Sequence, residues 1–105
     1  MALIVASDDK VVGIPSHRLW LLMDHMREVI DEDFHKFLDY GEQTNTLRFS
    51  YPENPDLRSI FCPALKSAVN SMRRKMMSGE VDDSPGFRHN LNEIEVFLSD
   101  VCEAT

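Results

Sequence analysis

The apolar pattern between Ser16 and Gly41 constrains the fold more than any other feature of this chain. Apolar side chains recur there at steps of three and four, the spacing that lines one face of an α-helix. Ser16 is a good helix-capping residue, and Gly41 suits the left-handed conformation that ends many helices. The sequence therefore predicts one helix over 16–40, with an apolar face that other elements must cover. Its apolar positions are Leu19, Leu22, Met23, Met26, Ile30, Phe34, Phe37 and Leu38.

The opposite face of this predicted helix is rich in acidic residues. Such a charge run is most often a solvated surface, but it can also dock a basic protein through electrostatic attraction. Trp20 and Leu21 lie off the apolar stripe beside the acids, where an aromatic side chain is typical of an interface, although Trp20 could equally pack under the N-terminal strands. The candidate partner-binding residues are therefore Trp20, Asp24, Glu28, Asp31, Glu32 and Asp39.

Two short runs rich in β-branched residues precede this helix and predict a hairpin over 3–14, with a polar loop at 7–10. Pro15 ends the second run. After the helix, apolar and polar residues alternate over 47–51, which predicts a third strand. Because an isolated hairpin is only marginally stable, we expect this strand to join it in a small antiparallel sheet.

A second amphipathic pattern predicts a helix over 55–78. Pro55 suits the first helical position, and Gly79 suits the end. Pro63 lies inside the pattern and lacks the N–H that would bond one turn back. It therefore predicts either a kink near 63 or a division into two helices.

A third amphipathic pattern predicts a helix over 85–103, whose start is marked by Ser84 and Pro85. Three such stripes with short connections can share one core. The sequence thus predicts one domain, 1–105, of the α+β class and mostly α. It would consist of three to four amphipathic helices packed with the small antiparallel N-terminal sheet.

The charge distribution argues against nucleic acid as a partner. The net charge is −7, and only the middle of the chain is basic, so part of the charge is expected to be satisfied within the fold. The cluster of Arg73, Arg74 and Lys75, with Lys66 and Arg58, could bind phosphates. The acidic balance and the lack of aromatic residues among these cations instead favour pairing with the acidic helices and with the carbonyl end of the helix dipole.

No sequence pattern supports catalysis or metal binding. Glu32 and His35 form a Glu-x-x-His pair, as in di-iron bundles, but the chain has no second copy. The histidines have no partners at zinc spacing, and no nucleophile elbow or phosphate-binding loop is found. We expect a protein that is not an enzyme and holds no metal or cofactor. The roles of His25 and His35 stay open.

Cys62 and Cys102 lie in apolar contexts on different predicted helices. Reducing compartments keep such thiols free, so we expect two buried thiols of a cytoplasmic protein rather than a disulfide. The start of the chain is not typical of a secretory signal, and no run reaches the ~18 apolar residues of a membrane span. We therefore expect no membrane association.

These features are typical of a small acidic protein-binding module. An inhibitor or immunity-type protein that neutralises a basic partner, such as a nuclease toxin, fits the size, the acidity and the lack of catalytic motifs. The alternative is an oligomeric structural or regulatory helical module without catalytic activity. In that case a second copy of the chain would cover one of the helix faces.

Overall fold

The computed structural model describes residues 1–102. Within this range, four α-helices and a three-stranded sheet confirm the predicted α+β, mostly α class. The helix α1 lies against α3, α3 lies against α4, and α4 lies against β2. In chain order the elements are β1 (Ala2–Ser7), β2 (Lys10–Ile14), α1 (Ser16–Val29), a 3-10 helix (Glu32–Phe34), α2 (His35–Thr44), β3 (Thr46–Arg48), α3 (Arg58–Ser78) and α4 (Pro85–Cys102).

The three strands are ordered β2-β1-β3. β1 and β2 form the predicted antiparallel hairpin, whereas β3 runs parallel to β1, so the sheet is mixed and the prediction of an antiparallel sheet is wrong on this point. Parallel neighbours need a long connection, which α1 and α2 supply between the hairpin and β3. One face of the sheet is buried, because the side chains of Ile4, Ile14 and Leu47 are fully enclosed.

The predicted third strand, 47–51, extends too far. β3 ends at Arg48, although the N–H of Phe49 still donates to the carbonyl of Val5 at 3.0 Å. Beyond that point Tyr51 exchanges both backbone hydrogen bonds with Asn54, each at 3.0 Å. This tight turn directs the chain away from β1 and towards α3.

The prediction of one helix over 16–40 is wrong, because the chain is extended at Ile30 and Asp31. The N–H of Ile30 closes α1 on the carbonyl of Met26, at 3.0 Å. The carboxylate of Asp31 then accepts a hydrogen bond from the N–H of Asp33, at 2.9 Å, and caps the following 3-10 helix. Short acidic side chains compete in this way with helical backbone bonds. The apolar period continues across the break and conceals it.

The prediction that Gly41 ends the helix is wrong, because Gly41 lies buried inside α2. The end falls at Asn45, which adopts the left-handed conformation with φ of 57°. Asparagine tolerates this conformation better than most residues do. Gly41 instead lies where α1 and β3 both approach α2 closely.

The helix α3 begins at Arg58 rather than at 55, because the N–H of Leu57 still donates to the carbonyl of Phe49 at 2.9 Å and the carboxylate of Asp56 accepts from the N–H of Arg58. The helix continues through Pro63, so the division into two helices is wrong, while the kink near 63 stays a prediction. Gly79 ends the helix at φ of 83°, as predicted.

The helix α4 begins at Pro85, as predicted, and the hydroxyl of Ser84 accepts a hydrogen bond from the N–H of Phe87 at 3.1 Å. The predicted end at 103 lies outside the described residues.

Cys62 and Cys102 form a disulfide, so the prediction of two free thiols is wrong. Cys62 lies in the second turn of α3 and Cys102 at the end of α4, and their Cα atoms are 6.1 Å apart. This distance lies within the range of disulfide geometry. The two residues are 40 positions apart in sequence, and only the antiparallel packing of α3 on α4 brings them together.

Asp56 makes the start of α3 sensitive to acid. Its Oδ1 accepts hydrogen bonds from the N–H of Arg58 at 3.1 Å and from Arg58 Nε at 3.3 Å, and these bonds lower the pKa of Asp56. A carboxyl whose pKa is lowered on folding stabilises the fold above its unfolded pKa, and this stabilisation is lost as the pH falls through the folded pKa. We expect Asp56→Ala to be less stable than the wild type at neutral pH, and the difference to shrink below pH of about 4.

Urea denaturation across this pH range measures the effect. Asp82→Ala is the matched control, because Asp82 is exposed and its carboxylate makes no hydrogen bond or ion pair within residues 1–102. A pH-independent loss for Asp56→Ala, or a loss no larger than that of Asp82→Ala, would contradict the prediction.

Candidate functional site

The exposed side of α1 carries the main candidate surface. Trp20, Asp24 and Glu28 are spaced four residues apart, so they project from the same side of the helix. The buried side of α1 consists of Leu19, Leu22, Met23 and Met26. We call Trp20, Asp24 and Glu28 the acidic face of α1; Glu32 follows the break after α1 and begins the 3-10 helix.

Trp20 is 51% exposed, which excludes the alternative in which it packs under the strands. Two other large apolar side chains on α1 are exposed, Leu21 at 37% and Val29 at 50%. Sequence reasoning overlooked Val29, although its position away from the buried stripe was a usable signal. Exposed aromatic and aliphatic groups beside carboxylates are a common composition of protein interfaces.

The contacts between α1 and α2 hold the helix backbone around Trp20 in place. Ser16 accepts a hydrogen bond from the amide of Asn45 at 2.7 Å, and Arg27 binds Asp39 at 2.7 Å and Glu42 at 2.8 Å. Trp20 lies between Ser16 and Arg27 in the sequence of α1. A partner that binds here therefore does not have to order the backbone that carries the indole.

Asp39 does not belong to the acidic face. It lies on α2, where Arg27 binds both its carboxylate and that of Glu42. The hydrogen bond to Asp39, followed by the one to Glu42, raises the pKa of Arg27 against the opposing effect of partial burial. Of the six candidate residues, Asp39 is therefore occupied by an ion pair within the fold.

Asp24, Glu28 and Glu32 are exposed and form no ion pair with any residue of the described range 1–102. Asp31 caps the 3-10 helix that follows α1, and Glu32 opens this helix. Four of the six candidates, Trp20, Asp24, Glu28 and Glu32, therefore remain available to a partner. A charge that is not paired internally can give its full Coulomb attraction to an incoming cation.

The histidines left open by the sequence have local contacts. His25 Nε2 lies 2.9 Å from Ser67 Oγ and links α1 to α3. His35 Nε2 lies 3.3 Å from the carbonyl of Ile30, beside the break after α1. Among residues 1–102, no three or more His, Cys, Asp or Glu side chains are grouped so as to hold a metal ion.

The basic middle of the chain is partly neutralised within the fold. Arg73 binds Glu95 and the amide oxygen of Asn92 on α4, and Arg58 binds Asp56. The contact of Arg73 with Glu95 on α4 agrees with the expectation that the segregated charges meet inside one molecule.

Comparison with known proteins gives no match: no protein-family model fits the chain, and neither a curated protein nor a solved structure resembles it. In the part of the chain that the structure describes, no helix combines the length and the apolar character needed to cross a membrane.

Proposed function

We propose that this chain is a protein-binding module that docks a basic protein through the acidic face of α1. In the more specific form of the proposal it is an inhibitor or immunity-type protein that neutralises a basic partner such as a nuclease toxin. The observation that supports it is the half-exposed Trp20 on the same side of α1 as Asp24 and Glu28, whose carboxylates form no ion pair within residues 1–102.

The physical basis of binding would be charge followed by contact. A net charge of −7 attracts a cationic surface from a distance and raises the association rate. At contact, lysine or arginine side chains of the partner would supply the counter-charges that Asp24 and Glu28 lack, while the indole of Trp20 provides the apolar anchor. A nuclease binds phosphates through cations, so carboxylates seated on those cations would block its substrate site. Such inhibition requires no catalytic group on this chain.

A capture experiment with matched variants tests the proposal. The wild-type chain, Asp24→Lys/Glu28→Lys and Glu80→Lys/Asp82→Lys are immobilised and exposed to lysate of the native source, and retained proteins are quantified by mass spectrometry. Both double variants change the net charge equally, but the second changes exposed residues of the α3–α4 connection. We expect one basic protein to be retained by the wild type and by the connection variant, and lost with the α1 variant.

The captured protein is then purified and titrated. We expect its affinity to fall about tenfold or more with Asp24→Lys/Glu28→Lys and with Trp20→Ala, and to weaken as salt increases. For the inhibitor form of the proposal, one equivalent of the chain should abolish the catalytic activity of the partner. Equal losses with both charge variants would mean that only net charge matters, and would refute a specific face.

The alternative, an oligomeric helical module, draws support from the same exposed apolar groups, Trp20 and Val29. In that case the chain should self-associate without a partner, and Trp20→Ala should return it to a monomer. Sedimentation velocity over a range of concentrations separates the two functions.

The cytoplasmic location expected from the sequence stays a prediction. The Cys62–Cys102 disulfide weakens it, because reducing compartments keep most such thiols free. The binding proposal depends only on the surface of α1, so it applies equally in a reducing and in an oxidising compartment.

A further inference from the structure

The outer edge of β2 carries backbone groups without partners. β1 uses Leu3 and Val5 to bond the β3 side: the N–H of Leu3 donates to Asn45 at 3.2 Å, and the carbonyl of Val5 accepts from Phe49 at 3.0 Å. These two residues face Gly13 and Val11 of β2 in the register of the hairpin. Backbone groups alternate sides along a strand, so Gly13 and Val11 direct their N–H and C=O groups away from β1. Within residues 1–102 these groups have no hydrogen-bond partner.

A shelf lies beside this edge. An open cavity of about 480 Å³ lies between β2 and α4 and is lined by Val11, Val12, Asn92, Val96, Phe97 and Asp100. Val96 is 72% exposed and Val11 is 45% exposed, so the shelf presents apolar surface to solvent. Natural edge strands are usually blunted by charges, proline or a covering element. β2 begins with Lys10 and is followed by Pro15, but the four residues between them, from Val11 to Ile14, carry no charge or proline.

The charges around the shelf define the chemistry of an occupant. Lys10 is bound to Asp100 at 2.6 Å, which leaves Asp9 and Glu93 as the excess charges, with His89 3.3 Å from Glu93. The surroundings are therefore acidic. A second copy of this chain would bring the same acids and a further net charge of −7, whereas a basic segment would be attracted.

We propose that β2 and α4 form a docking shelf for an extended, alternately apolar and basic segment of a partner protein, which adds to the sheet as a fourth strand. The segment would exchange backbone hydrogen bonds with Val11 and Gly13 and place apolar side chains over Val96. Main-chain bonding of this kind provides affinity, and side-chain contacts on alternate residues provide specificity. This surface is separate from the acidic face of α1, and the inference does not rest on the proposed function.

The test uses a fluorescein-labelled eight-residue peptide of alternating valine and lysine and the intact, disulfide-bonded chain. We expect saturable binding by fluorescence anisotropy, and slower hydrogen exchange at the amides of Val11 and Gly13 when the peptide is bound. Two N-methylated peptides, one methylated on the valines and one on the lysines, should bind with different affinities. Methyl groups that point at β2 should weaken binding about tenfold or more, while methyl groups on the other set should not.

Protein variants locate the site. Val96→Lys places a cation on the shelf and should weaken the peptide about tenfold or more. Met77→Lys makes the same charge change at an 89% exposed residue of α3 and should stay within about twofold. Trp20→Ala should also leave the peptide affinity unchanged, so failure here and failure of the α1 proposal can be told apart.

Several results would overturn the inference. These are no saturation up to about 1 mM peptide, equal affinities for the two N-methylated peptides, or equal effects of Val96→Lys and Met77→Lys. Equal binding of an alternating valine–glutamate peptide would reject the basic segment. Self-association of the chain that Val96→Lys abolishes would assign the shelf to a second copy instead.

Discussion

Reduction of the Cys62–Cys102 disulfide is expected to lower the free energy of unfolding by about 4 kcal/mol. The bond closes a loop between residues 40 positions apart, and its removal returns to the unfolded chain the conformational freedom that this closure withholds. Domains of this size are stable by roughly 5–15 kcal/mol, so the disulfide would supply a large share of the total. Because it joins the second turn of α3 to the last turn of α4, its loss should loosen the end of α4 first.

Urea denaturation of the oxidised chain, the reduced chain and Cys62→Ser/Cys102→Ser measures this effect. The two thiol forms should show similar losses. Adding reductant to the double variant should change nothing, which serves as the control for effects of the reductant itself. In the two thiol forms, the backbone amide of Val101 should exchange hydrogen faster than that of Leu91, although both side chains are buried. A loss below about 1 kcal/mol in both thiol forms would contradict the prediction.

The sequence predicted best those features that a few neighbouring residues decide. The start of α4 at Pro85 follows from the Ser84 hydroxyl, and the end of α3 follows from the left-handed Gly79. The hairpin was equally local, since two apolar runs flank one short polar loop. In each case the stabilising contact lies within a turn of the residues that signal it.

The errors arose where a competing contact was hidden or distant. The apolar period runs unchanged across Ile30, so only the capping bond of Asp31 reveals the break after α1. The parallel pairing of β3 and the Cys62–Cys102 bond join segments that only the complete fold brings together. No local pattern encodes such pairs.

The same distinction between local and distant contacts applies to the candidate site. The helical spacing of Trp20, Asp24 and Glu28 correctly placed them on one side of a helix, because this spacing is a local property. The pairing of Asp39 with Arg27 depends on how α2 folds back on α1, which the single-helix prediction had ruled out. The open edge of β2 could not be found without knowing the strand order β2-β1-β3, which leaves β2 at the outside of the sheet.

Substitution of Gly41 is expected to destabilise the chain, and Gly41→Val should lower the free energy of unfolding by about 3 kcal/mol. A Cβ on Gly41 would lie 3.3 Å from Met23 Sδ on α1 and 3.3 Å from the carbonyl oxygen of Thr46 on β3. Both distances are tighter than ordinary van der Waals contact. The sulfur can move slightly, but the backbone of Thr46 is held in the sheet next to β1. The glycine thus lets α2 approach α1 and β3 at the same time.

Gly41→Ala separates this explanation from helix propensity. Alanine in the interior of an exposed helix is favoured over glycine by about 1 kcal/mol, so propensity alone predicts a more stable chain, whereas crowding predicts a less stable one. Gly86→Ala is the comparison, because the nearest atoms to a Cβ there belong to the end of the Arg18 side chain, at 3.3 Å, and not to backbone, although this guanidinium also binds Asn90 and lies over the ring of Phe87. We expect Gly86→Ala to be neutral or stabilising and Gly41→Ala to be destabilising in urea denaturation. If Gly41→Ala were instead the more stable chain, the close approach of α2 to Thr46 would not limit the packing, and helix propensity would decide the stability at this position.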